Sequence, residues 1–467
     1  MVAGSSAAVL VLEILAGRLL APYVGVSLET FTGIIGVVLA GIAAGAWAGG
    51  ALADHQDASK LIGAALAIGG GLTWLVLPIL SAVGSQFGDG GPAIIILSVV
   101  ALFLPSAVLT SISPMVAKLR LGDLSDTGAV VGGLSAAGTL GALAGTFITG
   151  FILVSAVPTR LTVILLGAAL VISGAAAHGY LTKVLPTATA LVLVLVSGLL
   201  GVTSDRPCDY ETTYFCANIV ADEDNITGRS LYLDDLRHAY VDLEDPTELD
   251  IRYIRLFAQV AAALPDSPLQ TLHIGGGGFS FPRYLQQVQP GGSDLVLEID
   301  GALLDLVEAE LGLTQTESLQ VQIGDARLAL DDLADDRFDF IVGDAFASRA
   351  VPWHLTTREF LAEVDRVLTS DGVYVMNVID GGSFSFARAE LATLRQVYDH
   401  VQVVVPPEGL PEIGVTNLVL IASPALLQDM AIVAEDGVLL TTSETVDFID
   451  GASPLRDDYA PVDQLQE

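Results

Sequence analysis

The stretch Leu272-His273-Ile274-Gly275-Gly276-Gly277-Gly278 decides how this chain is read. It is an apolar β-type run that empties into four glycines. Three more phrases come after it in order: Leu297-Glu298-Ile299-Asp300, Ile323-Gly324-Asp325-Ala326 and Val342-Gly343-Asp344-Ala345. Each sets a carboxylate where an apolar strand would end. Open α/β sheets bind ligands beyond the carboxyl ends of their strands. Glycine lets the backbone come close to a ligand there. Glu298, about 20 residues past the turn, suits a pair of ribose hydroxyls. Asp325 suits an adenine amino group, and Asp344 faces the place where chemistry would occur. The glycines do not keep the GxGxxG register, and any one acid would serve equally as a helix N-cap, a position Asp favours. The ordered series is what points to a nucleoside site.

Around these phrases strand-like and helix-like runs alternate. Strands are expected near 269–274, 294–299, 319–323, 338–343, 372–378, 400–405 and 416–422. Helices are expected near 281–288, 301–311, 326–333, 357–368 and 384–398. Short loops between alternating elements mean a mostly parallel, doubly wound sheet. Ahead of it, 214–220 and 230–233 read as a small β unit. A helix over 248–264 carries Ile251, Ile254, Phe257, Ala258 and Ala261 on one face, and Pro265 ends it.

The first 204 residues differ in kind. The whole chain has 467 residues and a net charge of -34, yet its mean hydropathy is +0.62. Residues 1–204 hold seven acids against six bases, so −33 falls on the remainder. Apolar runs near 5–24, 30–53, 60–82, 92–117, 128–153, 160–179 and 184–203 are long enough to span a bilayer, which makes seven spans. No cleavable leader is evident. Gly41, Gly45 and Gly49, and Gly138, Gly141 and Gly145, suit close helix packing; a transport path is the rarer reading. Glu13 and Arg18 lie inside the first span, where a charge must face protein or water, or snorkel. With seven spans, positive-inside counting sets the acidic half outside the cell, and one miscounted span reverses it. Cys208 and Cys216 read equally as free thiols or as a bridge. All lysines lie in the first 204 residues, and an acidic, lysine-free surface suits a salt-loaded cytoplasm, as in a halophilic archaeon. A −33 domain excludes a nucleic-acid binder, which needs a basic stripe.

At this point the sequence resembles the spermidine synthase family of polyamine aminopropyltransferases, and more closely its membrane branch, in which a multi-span domain precedes the catalytic one. The resemblance runs from about Glu211 to Val404. It is carried by Glu211-Thr212-Thr213-Tyr214, Leu231-Tyr232-Leu233-Asp234, the glycine turn, the three acid phrases, and His354-Leu355-Thr356-Thr357-Arg358-Glu359-Phe360. It implies that Gly275, Gly276, Gly277, Glu298, Asp325 and Ala326 hold the nucleoside of decarboxylated S-adenosylmethionine, and that Asp344 takes a proton from the attacking amine. Tyr232, His238 and His354 are candidate substrate contacts; for the two histidines a structural role is the plainer reading. The sequence also departs from the family. Gly278 stands where the family has an aspartate, Ala347 where it has a second one, His238 where it has a glutamine, and Tyr253-Ile254-Arg255 where it has Tyr-His-Glu. Arg255 would repel a cationic amine if it pointed inward.

The expectation is therefore an α-helical multi-span membrane domain over 1–204, a small β unit over 205–245, and a Rossmann-like, methyltransferase-type doubly wound sheet over 246–467. The expected function is aminopropyl transfer to an amine. S-adenosylmethionine-dependent methyl transfer, and a transporter with a nucleoside-sensing domain, are the alternatives. The donor is a co-substrate, so no cofactor stays bound. No metal is expected, because no Cys or His cluster has ligand spacing. The partners are a lipid bilayer and a small amine, with a homodimer left open.

Overall fold

The computed structural model describes residues 1–86, 91–121, 127–182, 188–264, 268–346, 350–411, 414–425 and 430–466. The chain divides into two compact units, Met1–Glu211 and Thr212–Glu467.

The first unit is all helix. Six helices among the described residues are long and apolar enough to cross a membrane: α1 (Val2–Val24), α2 (Leu28–His55), α3 (Ala58–Val83), α4 (Gly91–Arg120), α5 (Thr127–Ala156) and α6 (Thr159–Thr182). The seventh expected span is the shorter helix α7 (Ala188–Thr203). Among the described residues its apolar stretch, Val192–Thr203, is shorter than the roughly 20 residues a span needs; residues 184–187 of the expected span lie outside them. The small residues are there for packing: side chains at Gly41, Gly45 and Gly49 of α2 would collide with the backbone at Phe103, Ala107 and Ser111 of α4. Arg18 does not pair with Glu13. Its guanidinium meets Glu211 at 3.1 Å and donates to the Val154 carbonyl at 3.0 Å. Neither cysteine is a free thiol.

The second unit begins with an antiparallel meander of β1 (Cys216–Ala221), β2 (Gly228–Leu233) and β3 (Leu236–Asp242). The third of these strands is not among the expected ones. Helix α8 (Arg252–Ala262) comes next. Then come β4 (Gln270–Ile274), α9 (Ser280–Val288), β5 (Ser293–Glu298), α10 (Gly301–Glu310), β6 (Leu319–Ile323), α11 (Ala326–Leu330) and β7 (Phe338–Gly343). After them run α12 (Arg358–Val367), β8 (Leu368–Gly381), α13 (Ser385–Leu394), β9 (His400–Val405), β10 (Val415–Ser423), β11 (Val438–Leu439) and α14 (Thr442–Ile449). The large sheet has the order β11-β9-β10-β8-β7-β4-β5-β6. From β6 to β8 it is parallel, and β9, β10 and β11 add an antiparallel edge.

Alternation along the strands loads both faces, as a covered parallel sheet requires. Leu272, Ile274 and Ile341 pack with Phe360, Val364 and Phe386 of α12 and α13. Phe340 and Val342 point the other way, into Phe257 and Phe281 of α8 and α9. The meander packs its Leu231 and Leu233 with Leu303 and Val307 of α10.

Candidate active site

The site lies where the sheet changes direction. From β4 the chain builds outward through β5 to β6, then returns to lay β7 on the other side of β4. The crevice above such a switch point is where open sheets bind ligands. Ile274 and Gly343, the last residues of β4 and β7, are in register. The Asp344 amide donates to the Ile274 carbonyl at 2.9 Å. Gly275 has φ +97°, and a side chain there would collide with the Asp344 carbonyl. The glycine turn and Asp344 thus meet although they are far apart in sequence.

Glu298, at the end of β5, is buried. One of its oxygens accepts from the Gly276 amide at 2.8 Å and the other from the Asp300 amide at 2.9 Å. Burial pushes its carboxyl above the usual range. Nothing crowds Gly277, which has φ +53°. Glu298 therefore fixes the glycine turn while lining the crevice beside it.

Asp300 and Asp325 both cap helices, as single acids in such positions do. Asp300 accepts from the Ala302 and Leu303 amides of α10. One oxygen of Asp325 accepts from the Arg327 and Leu328 amides of α11. The other lies 3.0 Å from Nε2 of His354. Asp325, Ala326 and His354 all line the crevice, so Asp325 serves as cap and wall at once.

Asp344 is the centre of the arrangement. The Tyr253 hydroxyl donates to one oxygen at 3.0 Å. The Asn377 amide donates to the other at 3.0 Å. Asn377 in turn accepts from Asn417 at 2.9 Å. Burial pushes the Asp344 carboxyl up to about 6, against the opposing pull of Asn377 and Tyr253. Burial, with the neighbouring Asp344 carboxylate, raises the Tyr253 phenol. A carboxylate so placed is ionised at neutral pH and more basic than an ordinary one, which suits a proton acceptor.

Of the expected substrate contacts, His238 and His354 line the crevice, with Nδ1 of His238 3.1 Å from the Leu236 carbonyl. Tyr232 does not line it: on β2 it alternates with the buried Leu231 and Leu233 and so takes the opposite face. Arg255 does not point inward. It pairs with Asp436 at 2.7 Å and donates to the Leu249 carbonyl. Gly278 packs under the meander, where a side chain would collide with Ala239. Ala347 lies outside the described residues. In the sequence Tyr253 stands only as the remnant of a lost phrase, and nothing there singles out Asn417. Asn377 does leave a signal that sequence reasoning missed: it is a polar residue inside the apolar run Val373–Ile379, and a buried polar group there needs a partner.

The crevice holds about 280 Å³. It has a glycine wall and two acids at one end, a basic carboxylate in the middle, and amides with Ile379, Val415 and Thr416 at the other. A separate hollow beside Arg388 and Asp450 carries none of the ordered acids.

Known proteins resemble this chain in sequence and in fold. No protein-family model matches the chain. A polyamine aminopropyltransferase of Vibrio vulnificus (strain CMCP6) is 30% identical over 241 residues, covering 48% of this chain and 79% of the relative. An eEF1A lysine and N-terminal methyltransferase of Bos taurus is 26% identical over 126 residues, covering 25% of this chain and 18% of that protein. Among solved structures, a probable spermidine synthase from Corynebacterium glutamicum ATCC 13032 superimposes with TM-score 0.51 at 25% identity, over 54% of this chain and 96% of its own. Nothing in these matches supports the salt-adapted archaeal origin expected from the charge.

Proposed function

The chain belongs to the polyamine aminopropyltransferase family, and from that premise we propose that its crevice moves a 3-aminopropyl group from decarboxylated S-adenosylmethionine to an amine. The observation that carries this reading is Asp344, held at the switch point by Tyr253 and Asn377 and made basic by burial. Gly275, Gly276 and Gly277 bring the backbone against the nucleoside. Glu298 and Asp325 offer their free lone pairs to the ribose and the adenine. The attacking nitrogen forms a bond to the methylene carbon beside the sulfonium, and the carbon–sulfur electron pair stays on sulfur. Methylthioadenosine leaves neutral, and the proton shed by nitrogen passes to Asp344. The enzyme's part is alignment and proton removal.

The N-terminal unit is proposed to anchor this domain in a bilayer through its six apolar helices. One observation favours a second reading. Packing of Gly278 against Ala239 leaves no room for the aspartate that relatives are expected to aim at the donor's amine. Methyl transfer from the carboxylated donor would need no such aspartate. Full-length protein in nanodiscs, incubated with decarboxylated S-adenosylmethionine and an amine panel, is expected to release methylthioadenosine. Asp344→Asn is expected to slow turnover by roughly 10²–10⁴-fold. Release of S-adenosylhomocysteine from the carboxylated donor, with no methylthioadenosine from any amine, would replace transfer of aminopropyl by transfer of methyl.

A further inference from the structure

If the crevice transfers aminopropyl, as proposed above, its far end bears on which amine is used. Beyond Asp344 the wall is built from β8 and β10, with Asn377, Ile379, Val415, Thr416 and Asn417 facing the space. Among the described residues, the carboxylates lining the crevice are Glu298, Asp325 and Asp344. Strand order separates the first two from this end. β5 lies three strands from β8 and β6 lies four. At a spacing of about 4.8 Å per strand, that is roughly 14 and 19 Å. Their oxygens are also engaged, by backbone amides and by His354.

A cation stands behind the far wall. Arg252 donates to the Thr416 hydroxyl at 3.1 Å and to the Asn417 carbonyl at 3.0 Å. Asn417 and Asn377 form a neutral amide chain that ends on Asp344. A diamine attacking beside Asp344 would push its second ammonium toward Thr416 and Asn417. There it would lose water, meet no lining carboxylate among the described residues and lie beside the Arg252 guanidinium, which already holds the nearby charges of Glu408 and Asp436. An unpaired charge in such a place is strongly disfavoured. A neutral tail meets no such cost: its carbons pack on Ile379 and Val415, and a hydroxyl or amide finds partners on Asn417 and Thr416.

We propose that the acceptor is a primary monoamine with a neutral, hydrogen-bonding tail, and that Arg252, Asn377 and Asn417 select it against diamines and polyamines.

The test measures kcat/KM for methylthioadenosine release by the full-length protein with 4-aminobutanol, putrescine and spermidine. The expected result is at least a tenfold preference for 4-aminobutanol over putrescine. Arg252→Gln is expected to raise the putrescine-to-aminobutanol ratio about tenfold, and Asn417→Asp to raise it further. Because the ratio is taken within one preparation, partial loss of folded protein does not move it. Preference for putrescine or spermidine in the unsubstituted protein overturns the proposal while leaving aminopropyl transfer intact. Ratios unmoved by both substitutions overturn the role given to Arg252 and Asn417. If no amine yields methylthioadenosine, the transfer reading itself falls, and this one with it.

Discussion

Asp344→Asn should make the protein more stable while slowing its turnover. The carboxyl is pushed from the ordinary 3.8 up to about 6 because folding strips its water. A raised acid costs the folded state nothing when both states are protonated. The cost appears as pH climbs past 3.8 and is complete once pH exceeds the folded value. Moving from 3.8 to about 6 corresponds to about 3 kcal/mol at pH 8. Asparagine keeps the shape and never ionises. It still accepts from Asn377, and the Tyr253 hydroxyl can turn to accept from the new amide. Imperfect geometry there offsets part of the gain, so about 1–3 kcal/mol is expected, a rise in Tm of roughly 2–12 °C. The assay is thermal unfolding of both proteins in one detergent from pH 4 to pH 8, beside methylthioadenosine release. The gain should vanish near pH 4 and be full by pH 8. A variant no more stable at pH 8, or a difference that ignores pH, would refute the view that Asp344 is held ionised at a cost to folding.

Three further outcomes are expected. Gly278→Asp should restore no donor affinity and should destabilise by about 1–3 kcal/mol through overpacking against Ala239; calorimetry with decarboxylated S-adenosylmethionine and a melt check both halves. Arg255→Ala should leave the KM for the amine unchanged, since Arg255 faces Asp436 and not the crevice, and should cost about 0.5–2 kcal/mol, because Gln259 still donates to Asp436. Glu390 is fully buried, neither of its oxygens has a hydrogen-bond partner among the described residues, and burial raises its carboxyl well above the ordinary range. Glu390→Met should therefore stabilise by about 1–3 kcal/mol, with a gain that grows as pH rises above the ordinary carboxylate range; pH-resolved melts read it directly.

Much of this architecture is legible in the sequence because it is written locally. Strands 319–323, 338–343 and 400–405 fall where apolar runs and turn residues put them. The six long helices come from hydropathy and length alone. What stays hidden depends on partners far apart in sequence. The strand β3 is a weakly apolar run that pairs only because β2 lies beside it. Arg255, which reads as a threat to a cationic substrate, is drawn off by Asp436, 181 residues away. Tyr232 sits in a phrase that resembles the family's, yet strand alternation turns it from the crevice.

The sequence by itself determined where the glycine turn and the acids fall, at strand ends, and from that came the expectation of a nucleoside-type site, because glycines and acids in that order mark the element boundaries on which such sites are built. It also set the expectation of a lopsided site, with acids for a nucleoside and few for a polyamine. Only the tertiary structure decided that β7 returns beside β4. Strand order is set by which faces bury one another, and no local pattern encodes it. That return brings Asp344 onto the glycine turn, places Tyr253 and Asn377 on its two oxygens, and removes the water that would otherwise leave it an ordinary acid.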